Sequence, residues 1–238
     1  DPLATNYNEK AQKDDGTCLY DTPQVSTYLA SNITENTTLT ADKIWTLGGR
    51  VTVVSGVTLT IEPGTIIKGE VGTGANASAL IIARGGKLMA EGTADLPIIF
   101  TSTADEIEVG GFVSPNLDPN FNGLWGGLII CGNAPISADA DAVQIEGIPA
   151  SDQNGLYGGN NPADNSGVLK YISIRHGGAN IGEGNEINGL TLGGVGNGTT
   201  IEHIEVVGNQ DDGIEFFGGT VNVSNTVVWN AGDDSYDV

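Results

Sequence analysis

Beyond Ile44 the chain is written in short apolar runs cut by glycine, asparagine and proline. Val51–Val54, Val57–Ile61 and Thr65–Lys68 come first, joined by Ser55-Gly56 and Glu62-Pro63-Gly64. Ala79–Ala83, Lys87–Ala90 and Pro97–Thr101 follow, then Leu128–Cys131, Val143–Glu146 and Leu169–Ile174. The last quarter adds Leu190–Leu192, Thr200–Val207, Gly213–Phe217, Val221–Val223, Thr226–Trp229 and Ser235–Val238. β-Branched residues are prominent in these runs, which suits a pleated surface. No segment longer than two helical turns carries an apolar period of 3.6 residues. The pattern predicts an all-β chain.

A repeat near the C-terminus narrows the class. The stretch from Ile201 to Asp212 superposes on that from Val223 to Asp234 with a shift of 22, matching Ile201 to Val223, Val206 to Val228, Asp211 to Asp233 and Asp212 to Asp234. A period near that length with three short strands is what one coil of a parallel β-helix needs, and such coils bury their apolar stripe only by stacking. The crossover preference of parallel strands makes the expected solenoid right-handed. An antiparallel β-sandwich is the alternative fold, and the repeat argues against it. Residues 104–126 and 147–166 are long, polar and rich in Gly, Asn and Pro, so they read as insertions projecting from the coils. Residues 1–22 differ in character and read as a small separate module. Residues 23–43 read as a connector or cap, and 44–238 as the solenoid.

Charge limits the partners. Thirty acidic against nine basic residues leave a net charge of −21. That field repels phosphate backbones and anionic lipid, which argues against nucleic-acid and membrane-surface binding, while acidic clusters attract divalent cations. No apolar run approaches membrane-spanning length. The two cysteines, Cys18 and Cys131, are too few for a disulfide framework or a cysteine-rich zinc site. Cys131, inside Leu128-Ile129-Ile130-Cys131, reads as a small buried residue. The chain starts at Asp1 without a signal peptide and reads as processed or trimmed at its front.

The sharpest constellation is Asp211-Asp212 with Asp233-Asp234. The repeat puts these on one corner of consecutive coils, about 4.8 Å apart along the axis. Stacked carboxylates repel, and a bound cation, a shared proton or splaying into water offsets that. Three readings stay open: turn caps using backbone amides, a calcium site of oxygen ligands, or catalysis by paired carboxylates. Asp14 and Asp15, in Asp14-Asp15-Gly16-Thr17, are further calcium-ligand candidates, without the downstream Glu of an EF-hand. Trp45, Trp125 and Trp229, with Tyr157, Tyr171 and Tyr236, are candidates for a carbohydrate-stacking strip. Among them Trp125, beside an insertion, and Tyr157 are the candidates for ligand contact, packing under a loop being the alternative. His176 and His203 are the only histidines and read as surface or turn residues.

Two stretches resemble known families. Asp1-Pro2-Leu3-Ala4-Thr5-Asn6-Tyr7-Asn8 with Asp14-Asp15-Gly16-Thr17-Cys18 resembles a short module of exported surface proteins of Bacteroidota. There a cysteine precedes the Asp-Pro, which implies a disulfide partner for Cys18 upstream of Asp1. The body, through Ile44-Trp45-Thr46-Leu47-Gly48-Gly49, Thr60-Ile61-Glu62-Pro63-Gly64-Thr65 and Asp211-Asp212-Gly213-Ile214-Glu215-Phe216-Phe217-Gly218-Gly219, resembles surface β-helix proteins of the same bacteria. Those relatives run on past the Gly-Asp-Asp corner, so a further stretch is expected beyond Val238. Gly232-Asp233-Asp234 also resembles the paired-aspartate motif of polygalacturonase-type glycosidases. No His, Lys or Arg follows His203, so that family's downstream Gly-His-Gly and Arg-x-Lys are absent.

The resemblances imply an extracellular or outer-membrane-associated location. The expected function is a non-enzymatic β-helix, structural, adhesive or binding a glycan or another surface protein, with calcium as the expected cofactor. The alternative is a polysaccharide-degrading hydrolase or lyase acting near Asp211–Asp234.

Overall fold

The structure is a computed structural model that describes residues 26–182 and 185–238. Asp14, Asp15, Cys18 and the N-terminal module lie outside the described residues. The remainder is a parallel β-helix whose coils pass through three parallel ladders in turn.

The first ladder stacks β2 (Thr37–Leu39), β5 (Thr58–Ile61) and β8 (Lys87–Glu91), then the opening halves of β13 (Gly167–Arg175), β17 (Thr200–Val207) and β19 (Val223–Trp229). The second stacks β1 (Tyr28–Leu29), β3 (Ile44–Leu47), β6 (Ile66–Gly69) and β9 (Ile98–Ser102), then the closing halves of β13, β17 and β19. Because those long strands serve both, the two ladders join into one ten-stranded sheet. The third ladder is a six-stranded sheet of β4 (Arg50–Val53), β7 (Ala79–Ile82), β10 (Leu128–Cys131), β16 (Leu190–Val195), β18 (Ile214–Gly219) and β20 (Tyr236–Asp237). Ile201 faces Val223 and Val206 faces Val228, the register that the 22-residue repeat predicts.

β1 and β2 pair with β3 and β5, and Ile33 bridges to Val53, so the solenoid begins ahead of Ile44. Their short Ser/Thr/Asn-rich runs read as a connector because each contributes only two or three residues to its ladder. The expected strand at Val143–Glu146 is a different object. Its core, β11 (Val143–Gln144), pairs antiparallel with β12 (Leu156–Tyr157) inside an insertion.

Burial explains the strand patterns. In β5 inward Leu59 and Ile61 alternate with half-buried Thr58 and Thr60, as a strand with one wet face should. β7, β10 and β16 are buried at every residue. The insertion after β10 covers their outer face, where Ile145, Ile148 and Tyr157 pack on Ala79, Ile81, Ile129 and Cys131. Ile107, from the insertion after β9, packs likewise on Ile66 and Ile99.

Two columns of left-handed residues turn the late coils. Tyr171, His203 and Asn225, with φ of 49°, 57° and 55°, bend β13, β17 and β19 from the first ladder into the second. His176, Gly208 and Asn230, with φ of 61°, 63° and 64°, turn the chain out of the second ladder. Residues other than glycine rarely hold this conformation. Here successive coils share it, and the Tyr171 and His203 rings stack 4.3 Å apart.

Candidate functional site

The acidic corner lies just past the second column, where the chain enters β18 and β20. Leu190 pairs with Ile214, and Ile214 with Tyr236, so Asn188, Asp212 and Asp234 stack in one column two residues ahead of those strands. Backbone bonds set the spacing: Gly189 N donates to Asp212 O at 3.0 Å and Gly213 N to Asp234 O at 2.8 Å. Asn209 Nδ2 donates to Asp212 O at 2.7 Å. The Asp212 carboxylate accepts the Asp234 amide at 2.8 Å, so it caps the turn of the following coil. A Cβ on Gly213 would lie 2.8 Å from Ser235 O and 2.4 Å from Val228, which keeps this approach free of a side chain.

Carboxylates then gather round Asp212. Ligand oxygens of Asp211, Asp212 and Asp233 lie within 4.8 Å of one another, and so do those of Asp212, Glu215 and Asp237. Burial and the negative charges of Asp211, Asp237, Asp233 and Asp234 push the Asp212 carboxyl up to about 6. Burial, then Glu146, Asp212, Asp237 and Asp211, push Glu215 up to about 8. Asn188, buried at 2% exposure, donates from Nδ2 to Glu215 Oε2, and its Oδ1 has no hydrogen-bond partner.

Three of the four aspartates read from the repeat, Asp211, Asp212 and Asp233, therefore do meet. Asp234 contributes its amide and belongs to neither carboxylate group among the described residues. Glu215 and Asp237 complete the site. They pair in register across β18 and β20, so carrying the 22-residue comparison three positions further finds them.

The basic residues stand elsewhere. Lys170 Nζ pairs with Glu202 at 2.9 Å, and Arg175 Nη2 lies 3.7 Å from Glu205 Oε2. Arg175 also donates to Ser173 Oγ at 2.7 Å and to Phe112 O at 2.9 Å, and Ser173 Oγ donates to Glu205.

Burial corrects the ligand-contact expectation for Trp125, whereas Tyr157 lines a cleft of about 750 Å³ with Ile136, Glu215 and Phe217. Trp125 has no exposed surface, stacks on Phe100 at 6.5 Å and donates from Nε1 to Arg175 O at 2.8 Å. Tyr157 is 7% exposed and packs on Phe217 at 5.9 Å. Trp125 packs inward, in the solenoid's own core, whereas Tyr157 belongs to the insertion after β10 and packs on the apolar outer face of the third ladder.

Phe112 and Trp229 are among the rings that reach solvent, at 48% and 61% exposure. They border a cleft of about 200 Å³ between the 104–126 insertion and the second ladder, with Val113, Leu117, Arg175 and Glu205 also lining it. The second column of left-handed residues holds the insertion in place. His176 Nδ1 donates to Phe121 O at 2.7 Å and Asn230 Nδ2 to Pro119 O at 2.6 Å. Between them Gly208 must stay bare, since a Cβ there would lie 2.6 Å from Phe121 O. Sequence reasoning missed this cleft because the insertion carries no period.

Parallel ladders closed round one core define a β-helix protein, and comparison with protein families agrees. The chain belongs to the pectate-lyase-like β-helix domain family, whose model matches residues 31–238. No curated protein and no solved structure matches it. No helix among the described residues is long and apolar enough to cross a membrane.

Proposed function

We propose that this chain is a non-enzymatic binding solenoid of the cell surface, holding a saccharide in the cleft beneath the 104–126 insertion. The observation that carries the reading is the pair of exposed rings, Phe112 and Trp229, beside the Arg175–Glu205 pair. Apolar walls with a few placed polar groups are the usual form of a small-ligand site. Sugar C–H faces suit the rings, and hydroxyls suit a floor that offers both a donor and an acceptor. Glu205 is the one carboxylate lining the cleft, and it already accepts from Ser173. Glycoside hydrolysis ordinarily uses two carboxyl groups flanking the bond, which favours binding over cleavage here. A lyase needs a base beside its carboxylates, and Lys170 and Arg175 are held by Glu202 and Glu205 instead of at the acidic corner.

The test is affinity electrophoresis and array binding with cell-envelope and matrix polysaccharides, comparing wild type with Trp229→Ala. Because Trp229 is exposed, the variant should melt with the wild type while losing at least about tenfold in affinity. Retention of no polysaccharide, or equal retention of both proteins, would refute the cleft as a saccharide site.

A further inference from the structure

The acidic corner supports a second inference, independent of the saccharide cleft. Six acidic residues, Asp211, Asp212, Glu215, Asp233, Asp234 and Asp237, crowd two consecutive coils, and the main charges acting on Asp212 and Glu215 are all negative. Crowding of this kind is common on acidic surfaces and is no site by itself. The distinguishing feature is Asn188. It is buried at 2% exposure, stacks beneath Asp212, directs its amide at Glu215 and leaves Oδ1 without a hydrogen-bond partner. A buried polar atom left unmatched costs about 1–3 kcal/mol, so the orphaned oxygen of an amide whose nitrogen already meets Glu215 calls for a positive partner.

We propose that calcium binds at this corner, held by Asp212, Glu215 and Asp237 with the Asn188 amide oxygen on its inner side. The donor set is all oxygen, which fits a hard cation and disfavours the softer transition metals. Asn188 stands on the coil before β18, Asp212 and Glu215 on the next, and Asp237 on the last described strand, so one ion would tie three successive coils together. Asp211 and Asp233, which share Asp212 with the other triad, provide charge on the solvent side. Calcium tolerates irregular six- to eight-fold coordination and completes its shell with water, whereas magnesium demands a near-ideal octahedron. The corner was assembled by coil stacking and suits the more permissive ion.

The experiment is thermal unfolding of the full chain in calcium chloride, magnesium chloride or chelator, at matched ionic strength so that screening is equal. At a hundredfold excess over its dissociation constant, a ligand bound only to the native state should raise the midpoint by about 5–10 °C for a chain this long. Asp237→Asn, on an exposed residue, and Glu215→Gln should each lose most of that shift. In chelator Asp237→Asn should melt no lower than wild type, because one charge has left a repelling cluster. A wild-type midpoint indifferent to calcium would overturn the proposal, and so would an equal response to magnesium. A calcium shift that survives both substitutions but vanishes in Asp14→Asn/Asp15→Asn would overturn it too, moving the ion to the N-terminal module.

Discussion

Replacing Trp125 tests how the insertion that roofs the cleft is fixed to the coils. The indole is fully buried, stacks on Phe100 with 10° between ring planes and donates to the Arg175 carbonyl, on the strand that carries the cleft floor. Trp125→Ala removes a large apolar side chain from a site walled by Phe100, Gly69 and Ser78. Truncations of this kind cost about 3–5 kcal/mol. Trp125→Phe keeps a ring but orphans the carbonyl, for which about 1–3 kcal/mol is expected. A domain's whole stability is about 5–15 kcal/mol, so the alanine variant should lose a large fraction of it. Urea unfolding followed by circular dichroism reads the difference, and an unchanged slope with a lower midpoint marks lost stability without altered compactness. Limited proteolysis gives the local reading, because cleavage within 108–122 should accelerate more than cleavage elsewhere. A loss under about 1 kcal/mol for Trp125→Ala, with that segment as resistant as before, would refute the claim that the indole anchors the insertion.

Three further outcomes follow from single residues. Asn225 is exposed and holds φ of 55°, so Asn225→Val should cost about 1–2 kcal/mol in urea unfolding through backbone strain alone, while Asn225→Gly stays near wild type. In chelator, stability should fall as pH rises from about 4 to 8. The folded state keeps protons on Asp212 up to about 6 and on Glu215 up to about 8, above the ordinary carboxylate values at which the unfolded chain releases them. Melting midpoints across that range should decline for wild type and flatten above pH 6 for Glu215→Gln, and a midpoint that climbs instead would contradict the assignment. Burial pushes the Cys131 thiol up to about 12, so peptide-mapped alkylation should find Cys131 unlabelled until the chain unfolds, and rapid labelling in the native state would refute its burial.

The solenoid was readable where one coil follows another without interruption. Ile201 and Val206 recur as Val223 and Val228 because no insertion separates β17 from β19, and the register is the one observed. Where insertions intervene, the period is lost. β8 and β13 are neighbours through Leu88 and Gly167, yet two long insertions lie between them in sequence. The apolar run Leu128–Cys131 announces a strand but not what covers its outer face, since burial on both sides removes the alternation that would orient it. The same loss of alternation hides the purpose of Trp125 and Tyr157, whose aromatic character fits a ligand wall and a loop anchor equally well. The corner columns escaped because Tyr, His and Asn share a backbone conformation and no side-chain chemistry. Aspartates at the repeat's end were legible, whereas Asn188 joins them only through the stacking of a preceding coil.

The central claim is that this β-helix binds its saccharide and leaves it whole. The most direct measurement takes a polysaccharide retained in a Trp229-dependent manner, incubates it with the full chain in calcium, and follows new reducing ends, which hydrolases and lyases both create. Binding with no new ends above the buffer control is the predicted result. Sustained release of ends that Asp212→Asn or Glu205→Gln abolishes would contradict it.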